Sequence, residues 1–341
     1  MRCFILLAGL VLCAPLYLAA QEKTIYGVDG RKDFFQVTDP VERRVMDSAV
    51  SLFKSTISFV CGAEYCRFGG RILGAEWRRM CPGEPFFEQK AAASCSGTLI
   101  APDLVLTAGH CMKAKEGEPE RCSVTKFVFG YSLTAAGAQP ARVPVSEVYS
   151  CVQKVLYSYG GGKDYAVLRL DRPVAGHNPV PVAFYAPQAK MKVFTVGGPY
   201  GLPLKVLGGG AVRLVDPAGG YMNTDLDSSG GNSGGGVFSA VSGRVVGLHV
   251  ASRDADLVEI PLPANHGLPA TDKRVIEGKC KTAASFSADG GKGKKAVLIS
   301  SIPGLAGLLG GNKALDVEME PGISVFQSDP ARVAELNSQL Q

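Results

Sequence analysis

Apolar residues along this chain come in short runs broken by Gly, Pro, Asn and Asp, and few stretches keep a helical period for long. Runs at 94–100, 104–108, 126–131, 141–145 and 165–170 read as one group of strands. Runs at 192–197, 211–215, 236–238, 244–250 and 296–300 read as a second. With 42 glycines among 341 residues, the pattern predicts an all-β protein with little helix. The clearest helix signal lies before the first group. Asp39, Pro40 and Glu42 supply an N-cap, an N1 proline and an N3 glutamate, and Val41, Val45, Ala49, Leu52 and Phe53 then share one helical face. This predicts a helix running to about Lys54.

The first twenty residues form a separate signal. Met1–Ala20 carries one Arg, an apolar core and small residues before Gln21, which reads as a secretory signal peptide. A membrane anchor fits less well, because the run is short and Pro15 interrupts it. A secreted or periplasmic protein without stable membrane association is expected. Removing Cys3 and Cys13 from the ten cysteines leaves an even number in an oxidising compartment, so disulfides are expected and a metal site is not. The formal charge of +5 is spread along the chain apart from 279–295, which its glycines and serines mark as a solvated loop. Nothing resembles a nucleic-acid module, and no cofactor motif appears.

Candidate chemistry centres on 225–236, Asp-Leu-Asp-Ser-Ser-Gly-Gly-Asn-Ser-Gly-Gly-Gly. It sets one hydroxyl, Ser233, in backbone almost bare of side chains. Glycines let a substrate carbonyl approach peptide N–H groups, and those of Gly231 and Ser233 are the candidate oxyanion donors. An alcohol needs a base titrating near neutral pH, and only histidine does so without a large shift. His110 follows the apolar run 104–108 and Asp164 opens the run 165–170, giving the order His, Asp, Ser with separations of 54 and 69 residues. His177 and His266 sit in Pro-containing loops and His249 follows a strand.

With Thr107-Ala-Gly-His-Cys111 and Gly231-Asn-Ser-Gly-Gly235, that order resembles the trypsin-like serine endopeptidases, and among them the glutamyl-endopeptidase-like (V8-like) branch. The resemblance implies two antiparallel six-stranded β-barrels, about 94–175 and 180–302, with the active site between them inside a protease domain at 91–310. An N-terminal extension or propeptide at 21–90 and a C-terminal tail at 311–341 would flank it, with a surface helix at 329–341. The implied function is hydrolysis of peptide bonds in polypeptide substrates by a monomer, with His110, Asp164 and Ser233 as the triad and no cofactor. Cys95 and Cys111 match the family's bridge beside the catalytic histidine. Cys122 with Cys151 is the expected second bridge, and the pairing of Cys61, Cys66, Cys81 and Cys280 stays open. Trypsin-like zymogens use an aspartate just before the serine to receive a new N-terminus; Asn232 stands there and has no charge to offer.

Specificity signs conflict. Asp227 lies where trypsin carries the carboxylate that selects Lys or Arg. His249 and Ser252, with Ser228, instead stand where glutamate-specific relatives place their acid-binding groups. Two other functions are to be weighed: an α/β-hydrolase-type esterase built on Ser233, Asp256 and His266, and a non-catalytic protease-like binding domain.

Overall fold

The computed structural model describes residues 25–54, 59–252 and 255–310. The signal-peptide reading of Met1–Ala20 and the expected helix at 329–341 lie outside them. Twelve strands carry the architecture. Six close into a first barrel in the order β4-β5-β6-β3-β2-β1: β1 (Ala49–Lys54), β2 (Cys95–Ala101), β3 (Leu104–Thr107), β4 (Thr125–Val128), β5 (Val148–Gly160) and β6 (Lys163–Leu170). Six more form the second: β7 (Lys192–Gly197), β8 (Lys205–Asp216), β9 (Tyr221–Thr224), β10 (Gly236–Ser239), β11 (Val245–Ser252) and β12 (Lys294–Leu298). Their order is β7-β10-β11-β12-β9-β8, and β8 pairs back onto β7, closing that barrel too.

Period-2 alternation builds three cores. On β3 and β6, Val105, Ala166 and Leu168 fill the first barrel with Phe127 and Tyr149, while Leu104, Leu106, Tyr165 and Val167 face outward. That outer face meets Phe194, Val196, Leu248 and Val250 of the second barrel, making an apolar seam between the two. Val193, Met222, Val246 and Leu298 fill the second barrel.

Three sequence expectations change. The helix α1 (Pro40–Asp47) is capped by Asp39 as expected but ends at Asp47, and 49–54 is strand β1. The apolar spacing there satisfied both periods, and the barrel decides: Val50 and Leu52 point into it and Phe53 packs outside. The first barrel therefore begins at Ala49, so a propeptide spanning all of 21–90 would carry a barrel strand away with it. Finally, 142–144 belongs to a small sheet with 65–68 and 59–61, and its barrel place is taken by β5.

The segment before α1 is fastened to the second barrel. Arg31–Asp33 pairs with the Lys205–Leu207 end of β8, and the buried Lys205 ammonium donates to Asp33 and Gln89. Four disulfides join Cys61 to Cys66, Cys81 to Cys280, Cys95 to Cys111 and Cys122 to Cys151. Among the described residues no helix is long and apolar enough to cross a membrane.

Candidate active site

His110 lies on a single helical turn, Gly109–Met112, just beyond the end of β3. Gly109 is needed there because a Cβ would stand 2.2 Å from the Ser158 carbonyl oxygen. Asp164 sits near the start of β6, opposite Tyr159 of β5. It holds the histidine twice: its Oδ1 accepts the His110 backbone N–H at 2.9 Å, and its Oδ2 lies 2.8 Å from Nδ1. A carboxylate only accepts, so this contact puts the imidazole proton on Nδ1 and leaves the Nε2 lone pair available as a base. Both side chains are partly shielded, with 30% and 19% of their surface exposed.

Ser233 reaches the same place from the second barrel. The Ser96 N–H donates to the Ser233 carbonyl at 2.9 Å, and Cys111, bridged to Cys95, has its sulfur 3.6 Å from that oxygen. Gly234, at φ +89°, wedges the loop against β2 and β3: a Cβ would meet Thr107 Oγ1 at 2.1 Å and the Ser96 carbonyl oxygen at 2.2 Å. Among the described residues no hydrogen bond joins Ser233 Oγ to His110, and contacts between nucleophile and base characteristically tighten only when substrate docks.

The loop ahead of the serine is shaped for a developing anion. Asn232 is fully buried, and its Oδ1 accepts the Ser229 N–H at 3.1 Å, so the neutral amide serves as an internal brace. Gly231 adopts φ +97°, with room for no side chain: a Cβ would lie 2.4 Å from the Gly198 carbonyl oxygen. Among the described residues the N–H groups of Gly231 and Ser233 donate to no protein acceptor. Asp256, which sequence reading paired with His266, instead accepts the Gly230 N–H at 2.6 Å and so holds this loop from outside. His266 Nδ1 accepts from Leu268 N–H within its own turn. Antiparallel barrels, with a strand and no helix after Ser233, also remove the α/β-hydrolase reading.

Of the specificity candidates, Asp227 is 4% exposed and turned toward the N-terminal segment. Its Oδ1 accepts from Tyr26 N–H and its Oδ2 from Gly30 N–H, both at 2.8 Å. Burial raises its pKa to about 6, against the lowering effect of these two bonds. Both of its oxygens are thus engaged by the backbone of the N-terminal segment. Ser228 and His249 come together, Oγ to Nδ1 at 3.5 Å, and His249 lies within β11, not after it. Burial, followed by the charges of Lys294 and His110, lowers the His249 pKa to about 3, so the ring is neutral at ordinary pH. Ser252 is drawn elsewhere. Its Oγ accepts from the buried Lys294 ammonium at 2.7 Å, and that ammonium lies 3.9 Å from Asp256 Oδ1. Lys294 escaped sequence reading because it sits in the glycine-rich 279–295 stretch, and only the pairing of β11 with β12 sets it opposite Ser252.

Cys95, His110 and Cys111 offer potential metal-ligand atoms within 4.8 Å of one another. The disulfide ties up both sulfurs, which leaves a lone imidazole and no thiolate.

Comparison with known proteins bears on residues 95–248, which match the trypsin-like peptidase domain family. Solved structures similar to the chain include a serine endoprotease from Yersinia pestis, at 16% identity and a TM-score of 0.38, covering 62% of this chain and 56% of that one. The chain thus spans little more than half of that endoprotease. A Glu endopeptidase in complex with MPD matches at 15% identity and a TM-score of 0.39 over 77% of this chain and 94% of its own. A human heparin binding protein matches at 15% identity and a TM-score of 0.40 over 66% and 85%.

Proposed function

We propose that this chain, whose residues 95–248 match the trypsin-like peptidase domain family, is a secreted serine endopeptidase of the V8-like kind acting through Ser233, His110 and Asp164. Ser233 Oγ attacks the peptide carbonyl while His110 Nε2 takes its proton. The imidazolium so formed is stabilised by Asp164 and then protonates the leaving amine, and water repeats the sequence on the acyl-enzyme. The N–H groups of Gly231 and Ser233 receive the oxyanion. The observation that carries this reading is the pair of hydrogen bonds from His110 to Asp164, the one at Nδ1 fixing the tautomer a general base requires. The four disulfides favour export over a reducing cytosol. A protease-like domain kept only for binding would have no use for a fixed tautomer or for two undonated N–H groups.

On the acyl side of the cleaved bond an acidic residue is favoured. Asp227 is engaged by backbone, whereas Ser228, His249 and Ser252 supply neutral polar groups with the Lys294 ammonium behind them. A peptide library varied at the residue before the cut tests this. Cleavage after Glu supports it, and cleavage after Lys or Arg that disappears in Asp227→Ser would overturn it.

A further inference from the structure

A cavity of about 390 Å³ lies beside the candidate active site, lined by Arg71, Trp77, Tyr200 and the segment Ala91–Ala93. One cation, Arg71, lines it, and a second, Arg78, packs against its aromatic walls. The Arg71 guanidinium lies 3.8 Å from the centre of the Trp77 ring; that of Arg78 lies 4.9 Å from the same ring and 5.4 Å from the Tyr200 ring. Several other guanidinium groups in this chain meet carboxylates, as Arg79 meets Glu277 and Arg274 meets Asp272. Among the described residues Arg71 and Arg78 have no carboxylate within 4.0 Å, and the buried Nε of Arg78 has no hydrogen-bond partner. Glu76, the acid nearest in sequence, turns its Oε2 to the Ile72 N–H instead. A buried guanidinium N–H without an acceptor is costly, and a planar fork of donors is matched best by a carboxylate.

The walls are held in place. Arg71–Ile72 pairs with Lys90–Ala91, the Arg274 guanidinium donates to the Met80 carbonyl oxygen, and the Cys81–Cys280 disulfide anchors the segment to the strand Lys279–Ala283. The cavity also connects to the nucleophile. The N–H groups of Ala92 and Ala93 donate to the Gly201 carbonyl at 2.8 and 3.0 Å, and Tyr200 N–H donates to the Gly230 carbonyl at 2.5 Å. The chain then runs on to Ser96 in β2, which bonds the backbone of Ser233 and Gly231. The backbone around Ser233 is thus tied to the cavity's walls through Ser96 and Tyr200. Cys95 is bridged to Cys111, the neighbour of His110, the group proposed above to protonate the leaving amine, which sets this cavity toward the leaving side of the proposed reaction.

We propose that this cavity is a binding site for an acidic side chain in the leaving half of the substrate, its carboxylate held by Arg71 and Arg78 and its methylenes packed on Trp77 and Tyr200. The proposal rests on the serine-peptidase reading for its position, and its test is independent of catalysis. Trp77 is the only tryptophan in the chain, so intrinsic fluorescence reports on the cavity directly. Full-length Ser233→Ala protein is titrated with a peptide carrying Glu at the first three positions after the expected cut, and with the same peptide carrying Gln. The Glu peptide should give a saturable change in Trp77 fluorescence at least about tenfold tighter than the Gln peptide, as a charge-assisted pair provides. That preference should shrink as salt rises and vanish in Arg71→Gln/Arg78→Gln. Equal binding of the two peptides, no saturable change, or a preference that survives the double variant overturns the site. Fluorophosphonate labelling of the wild type reads the serine-peptidase reading separately: labelling without a Glu preference sinks the site alone, and a Glu preference without labelling sinks the catalytic reading alone.

Discussion

Replacing Gly234 with Ala separates packing at the barrel seam from simple backbone strain. Gly234 has φ +89°, and forcing an L-residue into that left-handed region costs about 1 to 2 kcal/mol, partly offset by a stiffer unfolded chain. The larger cost is steric. The added Cβ would stand 2.1 Å from Thr107 Oγ1 and 2.2 Å from the Ser96 carbonyl oxygen, which are themselves joined by a 2.7 Å hydrogen bond. Relief requires lifting the loop off β2 and β3, which gives up that bond and the one from Ser96 N–H to the Ser233 carbonyl, each worth about 1 kcal/mol. The expected total is about 3 to 4 kcal/mol, a large part of the stability of an ordinary domain. Gly130 provides the control: φ is +69° with open space around its Cβ position, so Gly130→Ala carries the strain alone, about 1 kcal/mol. Urea unfolding of both variants reads the difference, and the rate of fluorophosphonate labelling reads the displacement of Ser233. If Gly234→Ala costs no more than Gly130→Ala and labels at the wild-type rate, the wedge account is wrong.

Other expectations concern the cross-links and a buried histidine. Cys280→Ser together with Cys81→Ser opens a loop of 199 residues and should cost up to about 5 kcal/mol in the chain-entropy model; an unchanged urea midpoint would show that the 71–91 segment needs no tether. His177 is gripped by Asp47 at Nδ1 (2.9 Å) and Glu147 at Nε2 (2.8 Å), joining the end of α1 to the linker between barrels. The Glu147 hydrogen bond foremost, with the charge of Asp47, raises its pKa above 6.5 despite burial. Its stabilisation is therefore complete below pH 6.5 and lost as pH rises through the folded pKa, so the urea midpoint should fall across that window in the wild type and less in His177→Gln. His249 acts with the opposite sign: its lowered pKa takes stability away as pH falls from 6.5 toward about 3, which keeps the two windows apart. Equal slopes above pH 6.5 in wild type and His177→Gln would contradict the clasp.

What the sequence disclosed follows from how local each signal is. Strands β2, β3, β6, β7 and β10 announce themselves through apolar runs bounded by turn residues, and the candidate nucleophile, base and acid through residue types that few other roles demand in that order. Strand β1 stayed hidden because Ala49, Leu52 and Phe53 satisfy a helical period as well as a barrel strand. Strand β5 stayed hidden because its outer half, from Val152 on, mixes exposed and half-buried residues without a clean period-2 alternation. The engagement of Asp227 by Tyr26 and Gly30 and the position of Lys294 opposite Ser252 both depend on residues far apart in the chain. No local window contains them.

The central claim, that Ser233 is the nucleophile and His110 its base, is tested most directly by labelling the full-length protein with a fluorophosphonate and mapping the adduct by mass spectrometry, alongside peptide hydrolysis by Ser233→Ala and His110→Ala. One adduct on Ser233, its absence in both variants, and a fall of about 10⁶ in kcat for either are expected, because the pair acts as a unit. An adduct on another residue, or a variant that keeps more than about one per cent of the wild-type rate, would contradict it.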